Sequence, residues 1–121
     1  MDFSFPKSER LNKKKAIQEL FDKGSSFYLH PFRVYFQKNT AEAVHQVMFS
    51  VSKKNFKKAV DRNLLKRRMR EAYRLNKGSL SGTSTIQMAY IYTAKEILSF
   101  KEIRDKLVLS FKRLQDYEKK I

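Results

Sequence analysis

The residues with the clearest potential for chemistry are the basic ones of residues 51–77. This stretch holds eleven Lys and Arg against two acidic residues, Asp61 and Glu71, and carries nine of the chain's fifteen net positive charges. The basic residues are Lys53, Lys54, Lys57, Lys58, Arg62, Lys66, Arg67, Arg68, Arg70, Arg74 and Lys77. Clustered like charge repels itself and does not stabilise a fold. It predicts a polyanionic partner, to which Lys supplies charge while Arg and Asn supply directional hydrogen bonds.

Residue types that commonly catalyse reactions are absent or isolated in this sequence. It has no Cys, which excludes disulfides and thiolate chemistry. His30 and His45 are the only histidines, and neither has a partner at metal-ligand spacing. The three Gly form no phosphate loop, and the twelve acidic residues are scattered, unlike a carboxylate cluster that holds two Mg²⁺ ions. The residues therefore predict a binding protein, with no cofactor bound by the protein alone.

The periodicity of the basic stretch predicts a helix from about Phe56 to Asn76, capped by Asn55. Its apolar side chains share one arc, the expected core face: Leu64, Leu65, Met69, Ala72 and Leu75. The opposite arc is a polar stripe with Arg62 at its edge: Asn63, Lys66, Arg67, Arg70 and Arg74. On the apolar flank, Asp61 and Arg68 are expected to form a local pair that covers the edge of the core.

A shorter first helix is expected from about Lys13 to Asp22. Asn12 is its predicted cap, and Gly24 suits the position just past its end. Lysines occupy its first turn, where the helix dipole favours acidic residues. That placement suits a helix end approached by phosphates. A turn is expected at residues 24–26.

The remaining elements are strands and a last helix. Strand-like alternation runs over Phe27–Gln37 and again up to about Ser52, and we expect these two strands to pair antiparallel. A further strand is predicted over Ile86–Thr93. Ser99, with Glu102 three residues later, is typical of a capping box at the start of the last helix. The order predicts an α+β two-layer sandwich, with helices on a small mixed sheet.

Composition is consistent with one domain spanning residues 1–121. The chain is 41% hydrophobic, with ten Phe and six Tyr, which supplies a core. No stretch approaches the ~20 apolar residues of a membrane span, and no signal segment is evident, so a cytoplasmic protein is expected. Phe21, Tyr28 and Tyr35 offer stacking surfaces for single-stranded bases, with core packing as the alternative for each.

The basic stretch resembles a known signature once its residues are read in order. The run KKNFKKAVDRNLLKRRMREAYR is similar to the signature of bacterial ribonuclease P protein subunits, which centres on Arg-Asn-Arg followed by Lys-Arg and a further Arg. The run KSERLNKKKAIQELFDKGSSF resembles the first helix and turn of this family. The runs RVYF and FSVSKK follow in the order that the family has. The resemblance implies a four-stranded sheet of the ribosomal protein S5 domain 2-like fold. It also implies an extra strand near Phe27–Tyr28 and a left-handed crossover at the signature helix.

The resemblance also implies a function. In this family the RNA subunit, with Mg²⁺ held through RNA, removes the 5′ leader of precursor tRNA. The protein binds the catalytic RNA, holds the single-stranded leader in a cleft beside the first helix, and lowers the Mg²⁺ requirement. The isolated protein is expected to be inactive, and neither a membrane nor a protein partner is required.

Site residues follow from this resemblance by position. Contacts to the catalytic RNA are implied for Lys53, Lys54, Lys58, Arg62, Asn63, Lys66, Arg67, Arg70 and Arg74. The leader cleft is implied to use Lys13, Lys14, Ile17, Phe21, Arg33 and Tyr35. The chain departs from the family at two positions: Leu64 replaces the third signature residue, usually Arg, and Ile17 replaces a cleft residue that is usually Phe. One RNA contact and one stacking contact are therefore expected to be lost.

Two other functions remain open at this point. A generic RNA-binding or ribosomal-type protein would share the basic stripe and the salt-sensitive binding. Such a protein would not prefer tRNA that carries a leader. A protein-only nuclease would cleave RNA with metal ions but without an RNA subunit, and the scattered acidic residues disfavour it.

Overall fold

The computed structural model describes residues 3–39, 43–80 and 84–119. In these ranges the main elements follow the order α-β-β-β-α-β-α that the resemblance implies. They are α1 (Lys14–Lys23), β1 (Ser25–Leu29), β2 (Phe32–Lys38), β3 (Gln46–Val51), α2 (Ala59–Asn76), β4 (Ile86–Tyr92) and α3 (Phe100–Lys119). Single 3₁₀ turns lie at Lys7–Glu9 and Lys77–Leu80. The extra strand near Phe27 is confirmed as β1, and Ser25 and Ser26 belong to it, not to the predicted turn.

β4 lies inside the four-stranded sheet, whose strand order is β1-β2-β4-β3. It pairs antiparallel with β2 and parallel with β3, while β1 pairs antiparallel with β2. The expected antiparallel pairing of the second and third strands is therefore wrong. The four consecutive residues Gln87–Tyr90 are all buried, so β4 needs cover on both faces and takes an inner place. The α2 crossover joins the parallel neighbours β3 and β4, and its left-handed sense stays a prediction.

The sheet packs against helices on both faces because its side chains alternate. One face, with Val34 and Tyr90, forms the main core against α2 and α3. The opposite face carries α1, whose buried Leu20 packs against Ala89 in a smaller cluster. An α+β domain with a small mixed sheet is thus confirmed, and α1 occupies a face of its own.

α1 begins and ends one residue later than predicted, and Gly24 lies just past its end as expected. Lys13 is the cap and forms no side-chain capping bond, so the expected Asn12 cap is wrong. The helix starts one residue later because the backbone of Lys13 is still extended. At the other end, the Gly24 amide donates to the Leu20 carbonyl at 2.9 Å. Gly24 has no room for a side chain, because a Cβ would lie 2.4 Å from the carbonyl oxygen of Leu20 and 3.0 Å from that of Phe36.

α2 begins at Ala59, three residues later than expected, and its predicted cap Asn55 is also wrong. Its N-cap is Lys58, which forms no side-chain capping bond. The tertiary structure uses Asn55 differently: its amide donates to the Thr93 carbonyl at 3.5 Å. Phe56 is buried, which anchors the segment before the helix against the core.

The core face of α2 largely follows its periodicity. Leu65, Met69 and Ala72 are buried as predicted, and Tyr73 is buried with them. Leu75 is 41% exposed, so its predicted place in the core is wrong. The last turn of α2 therefore presents its Tyr73 side to the core.

The junction between α2 and α3 is held by side-chain bonds to backbone. Arg68 donates to the Leu98 carbonyl and not to Asp61, so the expected local pair is wrong. Two helical turns, about 11 Å of rise, separate those two residues. The Glu102 amide donates to the Ser99 hydroxyl at 3.2 Å, which confirms the predicted cap of α3.

No helix in the described ranges is long and apolar enough to cross a membrane.

Candidate nucleic-acid interface

The outer face of α2 presents four polar residues, here called the signature face: Asn63, Lys66, Arg67 and Arg70. All are exposed except Lys66, which is half-buried. Their spacing of three and four residues stacks them on one side of the helix, opposite Leu65 and Met69. None of the four forms an ion pair with another described residue. Their hydrogen-bond donors are therefore available to an external anion.

The segment between β3 and α2 adds four exposed lysines, of which Lys53, Lys54 and Lys58 are predicted RNA contacts. Arg62, in the first turn of α2, donates to the Phe56 carbonyl at 2.8 Å within this segment. Because the Phe56 ring is also buried, the segment is fixed at its middle. Arg62 thus has a structural bond within the protein in addition to its predicted RNA contact.

At the other end of α2, Arg74 is engaged by the protein. Its guanidinium donates to the Glu71 carboxylate at 2.8 Å and to the Phe3 carbonyl at 3.0 Å. The hydrogen bond from Arg74 lowers the pKa of Glu71. Nearby, Lys77 pairs with Glu9 at 2.8 Å. These bonds clamp the N-terminal segment onto α2, so Arg74 has fewer free donors than the signature face.

A second surface, here called the cleft, lies between α1 and the sheet and is defined by Ile17, Phe21, Arg33 and Tyr35. The rings of Phe21 and Tyr35 meet edge to face, with centroids 4.7 Å apart. Phe21 remains 37% exposed, and Arg33 is exposed two residues before Tyr35 on the same face of β2. Ile17 and Tyr35 also pack against the small cluster around Leu20 that holds α1 on the sheet. The structure thus brings together four of the predicted leader residues.

The other two predicted leader residues, Lys13 and Lys14, are exposed at the start of α1. The Leu11 amide just before them donates to the Val47 carbonyl at 3.0 Å. This bond places the lysines on the β3 side of the sheet. They add positive charge at the N-terminal end of α1.

The cleft floor also includes Ser50 and Ile91, which the sequence does not single out. In the strand register, Arg33 lies opposite Ile91 and Ile91 opposite Ser50. Alternation within β4 indicates that Ile91 faces away from the main core. Which residues lie beside Ile91 on the adjacent strands, however, depends on the strand order, and the alternation within one strand does not show that order.

The chemistry that these two surfaces offer is binding. The signature face supplies charge and hydrogen bonds to phosphate, and the cleft supplies aromatic surface beside a guanidinium. Within the described residues, no group of three His, Cys, Asp or Glu side chains is placed to hold a metal ion.

Comparisons with known proteins identify the family. The family model described as Ribonuclease P matches residues 5–115, a span that includes both surfaces. The chain belongs to the ribonuclease P protein family. It assists the RNA-based processing of the 5′ end of tRNA as a subunit of this endoribonuclease, and the ribonuclease P RNA is its partner.

Individual relatives agree in sequence and in fold. The ribonuclease P protein component of Porphyromonas gingivalis is 37% identical over 107 residues, which cover 87% of this chain and 74% of that protein. The solved ribonuclease P protein of Thermotoga maritima has a TM-score of 0.75 at 32% identity, covering 87% of this chain and 96% of that one. The Staphylococcus aureus ribonuclease P protein gives 0.73 at 29% identity, covering 86% and 94%.

Proposed function

We propose that the protein performs this role through two separate contacts. The signature face, with Lys53, Lys54 and Lys58, binds the catalytic RNA, and the cleft binds the single-stranded 5′ leader of precursor tRNA. The observation that carries the proposal is the separation of the two surfaces. The signature face lies on a helix packed against one face of the sheet, and the cleft is built on the other face.

The signature face acts by charge. Lys and Arg side chains neutralise RNA phosphates and release counterions, so that the assembled RNA needs less Mg²⁺ to adopt its active form. In this proposal Mg²⁺ is held through the RNA, the hydrolysis belongs to the RNA, and the isolated protein is inactive. The reaction takes place in the cytoplasm and requires no membrane and no protein partner.

The cleft acts by discrimination. Precursor and mature tRNA differ at the 5′ end by the leader, so a contact made with the leader favours the precursor alone. Phe21 and Tyr35 supply stacking surface, and the exposed Arg33 supplies a cation for a leader phosphate. Stacking of a base on an aromatic side chain is worth roughly 1–3 kcal/mol, which is enough to select precursor over mature tRNA.

Reconstitution with the candidate catalytic RNA and a precursor tRNA tests the proposal. We expect the chain alone to cleave nothing, and the chain with RNA to need less Mg²⁺ and to bind precursor more tightly than mature tRNA. Equal binding of both tRNAs would indicate a generic RNA-binding protein. Metal-dependent cleavage by RNA-free protein would indicate a protein-only nuclease.

A further inference from the structure

We propose that Tyr28 forms a second stacking platform, at the far edge of the cleft, for a leader nucleotide more distant from the cleavage site than those held by Phe21 and Tyr35. The inference rests on the proposed leader-binding function and adds to it. It assigns a ligand, a single-stranded RNA nucleotide, to a residue outside the cleft set.

The strand register places Tyr28 on the floor of the cleft. Tyr28 lies opposite Arg33, Arg33 opposite Ile91, and Ile91 opposite Ser50. These residues form one row across all four strands. Tyr35 pairs with Ser26, so Tyr28 is its diagonal neighbour on the same face, at about 7–8 Å. A strand of RNA that leaves Tyr35 along this face meets Tyr28 next.

Tyr28 is exposed and yet fixed. Its side chain is among the most exposed of the large hydrophobic residues, at 49%. Its hydroxyl lies 3.2 Å from Nδ1 of His30, and the Thr93 hydroxyl donates to it at 3.4 Å. The Arg33 guanidinium lies 5.7 Å from the ring centroid. The ring is therefore ordered before any ligand arrives, which lowers the entropic cost of stacking a base on it.

The backbone of Tyr28 is fixed as well. Arg113 of α3 donates to the Tyr28 carbonyl at 3.1 Å, and its guanidinium lies 4.6 Å from the ring centroid of the buried Phe27. The edge strand is thus tied to α3 beneath the platform. Phe27 packs in the main core on the α3 side, so strand alternation puts the Tyr28 side chain on the opposite face of the sheet, which carries α1.

The order of the strands gives the leader a direction. β3 leads directly into Lys53, Lys54 and the signature helix, whereas β1 is the opposite edge of the sheet. A leader that starts beside the catalytic RNA therefore crosses β3 and β4 first and β1 last. Arg33 lies between the two aromatic positions, where its cation meets the phosphate that joins their bases. Only a leader long enough to reach β1 contacts Tyr28.

The experiment measures the affinity of the reconstituted holoenzyme for precursor tRNAs whose leaders increase in length by single nucleotides. The proteins are the wild type, Tyr35→Ala, Tyr28→Ala and Tyr28→Phe. We expect Tyr35→Ala to weaken binding from short leaders onward. Tyr28→Ala should match the wild type with short leaders and bind roughly tenfold more weakly beyond a longer threshold. Tyr28→Phe keeps the stacking ring but loses the hydroxyl contacts that help to order it, and should lose less affinity than Tyr28→Ala.

Three outcomes overturn the platform. In the first, Tyr35→Ala shows its loss while Tyr28→Ala shows none at any length. In the second, Tyr28→Ala loses the same affinity at every length, including leaderless tRNA. In the third, Tyr28→Ala weakens assembly with the catalytic RNA in the absence of tRNA. A null result for Tyr35→Ala at every length instead contradicts the proposed function itself. Thermal unfolding of each variant separates these losses from a loss of fold.

Discussion

The signature face and the cleft, both proposed to bind RNA, offer different physical means of binding it. The signature face consists of one amide and three long charged side chains on one helix, and the charged ones have no ion-pair partner in the described chain. The cleft consists of rings already in contact, 4.7 Å apart, on a sheet and a separate helix. Charge acts over a Debye length and depends on salt, whereas stacking acts only at contact. Under the proposed function, the first surface therefore sets how tightly RNA is held, and the second sets which RNA is chosen.

The largest effect is expected from the double substitution Arg67→Ala with Arg70→Ala. Removing two charged contacts should cost about 3 kcal/mol of RNA binding, or roughly 100-fold in affinity. The salt dependence should also fall by about 1.4–1.8 in log–log slope. Titration of the RNA subunit at several salt concentrations measures both. Lys95→Ala with Lys112→Ala removes two exposed charges elsewhere and is the control. An equal loss in that control would show that net charge, and not the signature face, binds the RNA.

Gly24→Ala is expected to damage the cleft and spare the signature face. The new Cβ would overlap the Leu20 carbonyl, so the end of α1 must shift, at a cost of about 2 kcal/mol in the free energy of unfolding. Chemical denaturation measures this cost. Preference for precursor tRNA should fall, while affinity for the RNA subunit stays close to that of the wild type. If RNA affinity fell as far as preference, the two surfaces would not be independent.

Tyr35→Ala is expected to lower the preference for precursor over mature tRNA by roughly tenfold, or about 1.4 kcal/mol. The ratio of the two dissociation constants, measured with the holoenzyme, checks it. The salt dependence of assembly should not change, because no charge is lost. Tyr35→Phe keeps the ring and serves as the matched control. An unchanged ratio in Tyr35→Ala would remove the cleft from leader recognition.

Arg74→Ala is expected to have the smallest effect on RNA binding, under about 1 kcal/mol. Its guanidinium is already bonded to the Glu71 carboxylate and the Phe3 carbonyl, so it has fewer donors left for an RNA phosphate. Titration of the RNA subunit with Arg74→Ala and with Arg70→Ala compares the two losses of affinity. A loss as large as that of Arg70→Ala would show that Arg74 leaves its protein partners and joins the signature face when RNA binds.

Local features of the fold could be predicted from the sequence. The buried Leu65 and Met69 follow helical periodicity, and the signature face follows as the opposite arc. The cap of α3 follows from Ser99 and Glu102. Each of these depends on residues within one or two helical turns, where spacing alone determines the neighbours.

Features that depend on distant parts of the chain could not be predicted in this way. The inner place of β4 depends on its burial from both faces, and that depends on α1 and α2 together. Asn is a residue type that commonly caps helices, but the side chain of Asn55 donates instead to the carbonyl of Thr93, 38 residues away. Leu64, at the third signature position, is predicted on the core face from its spacing, but it is only half-buried, because it lies at the edge of the apolar arc.

The inner position of β4 also has a consequence for the time course of synthesis. β3 is complete at Val51, but the strand that pairs with it starts at Ile86, after 34 intervening residues. At ~5–20 residues per second, β3 waits about 2–7 s with an unpaired edge, which is a site for association with other chains. The segment that emerges during this wait is the strongly basic one around α2. Because like charges repel, we expect this segment to keep nascent chains apart until β4 pairs with β3.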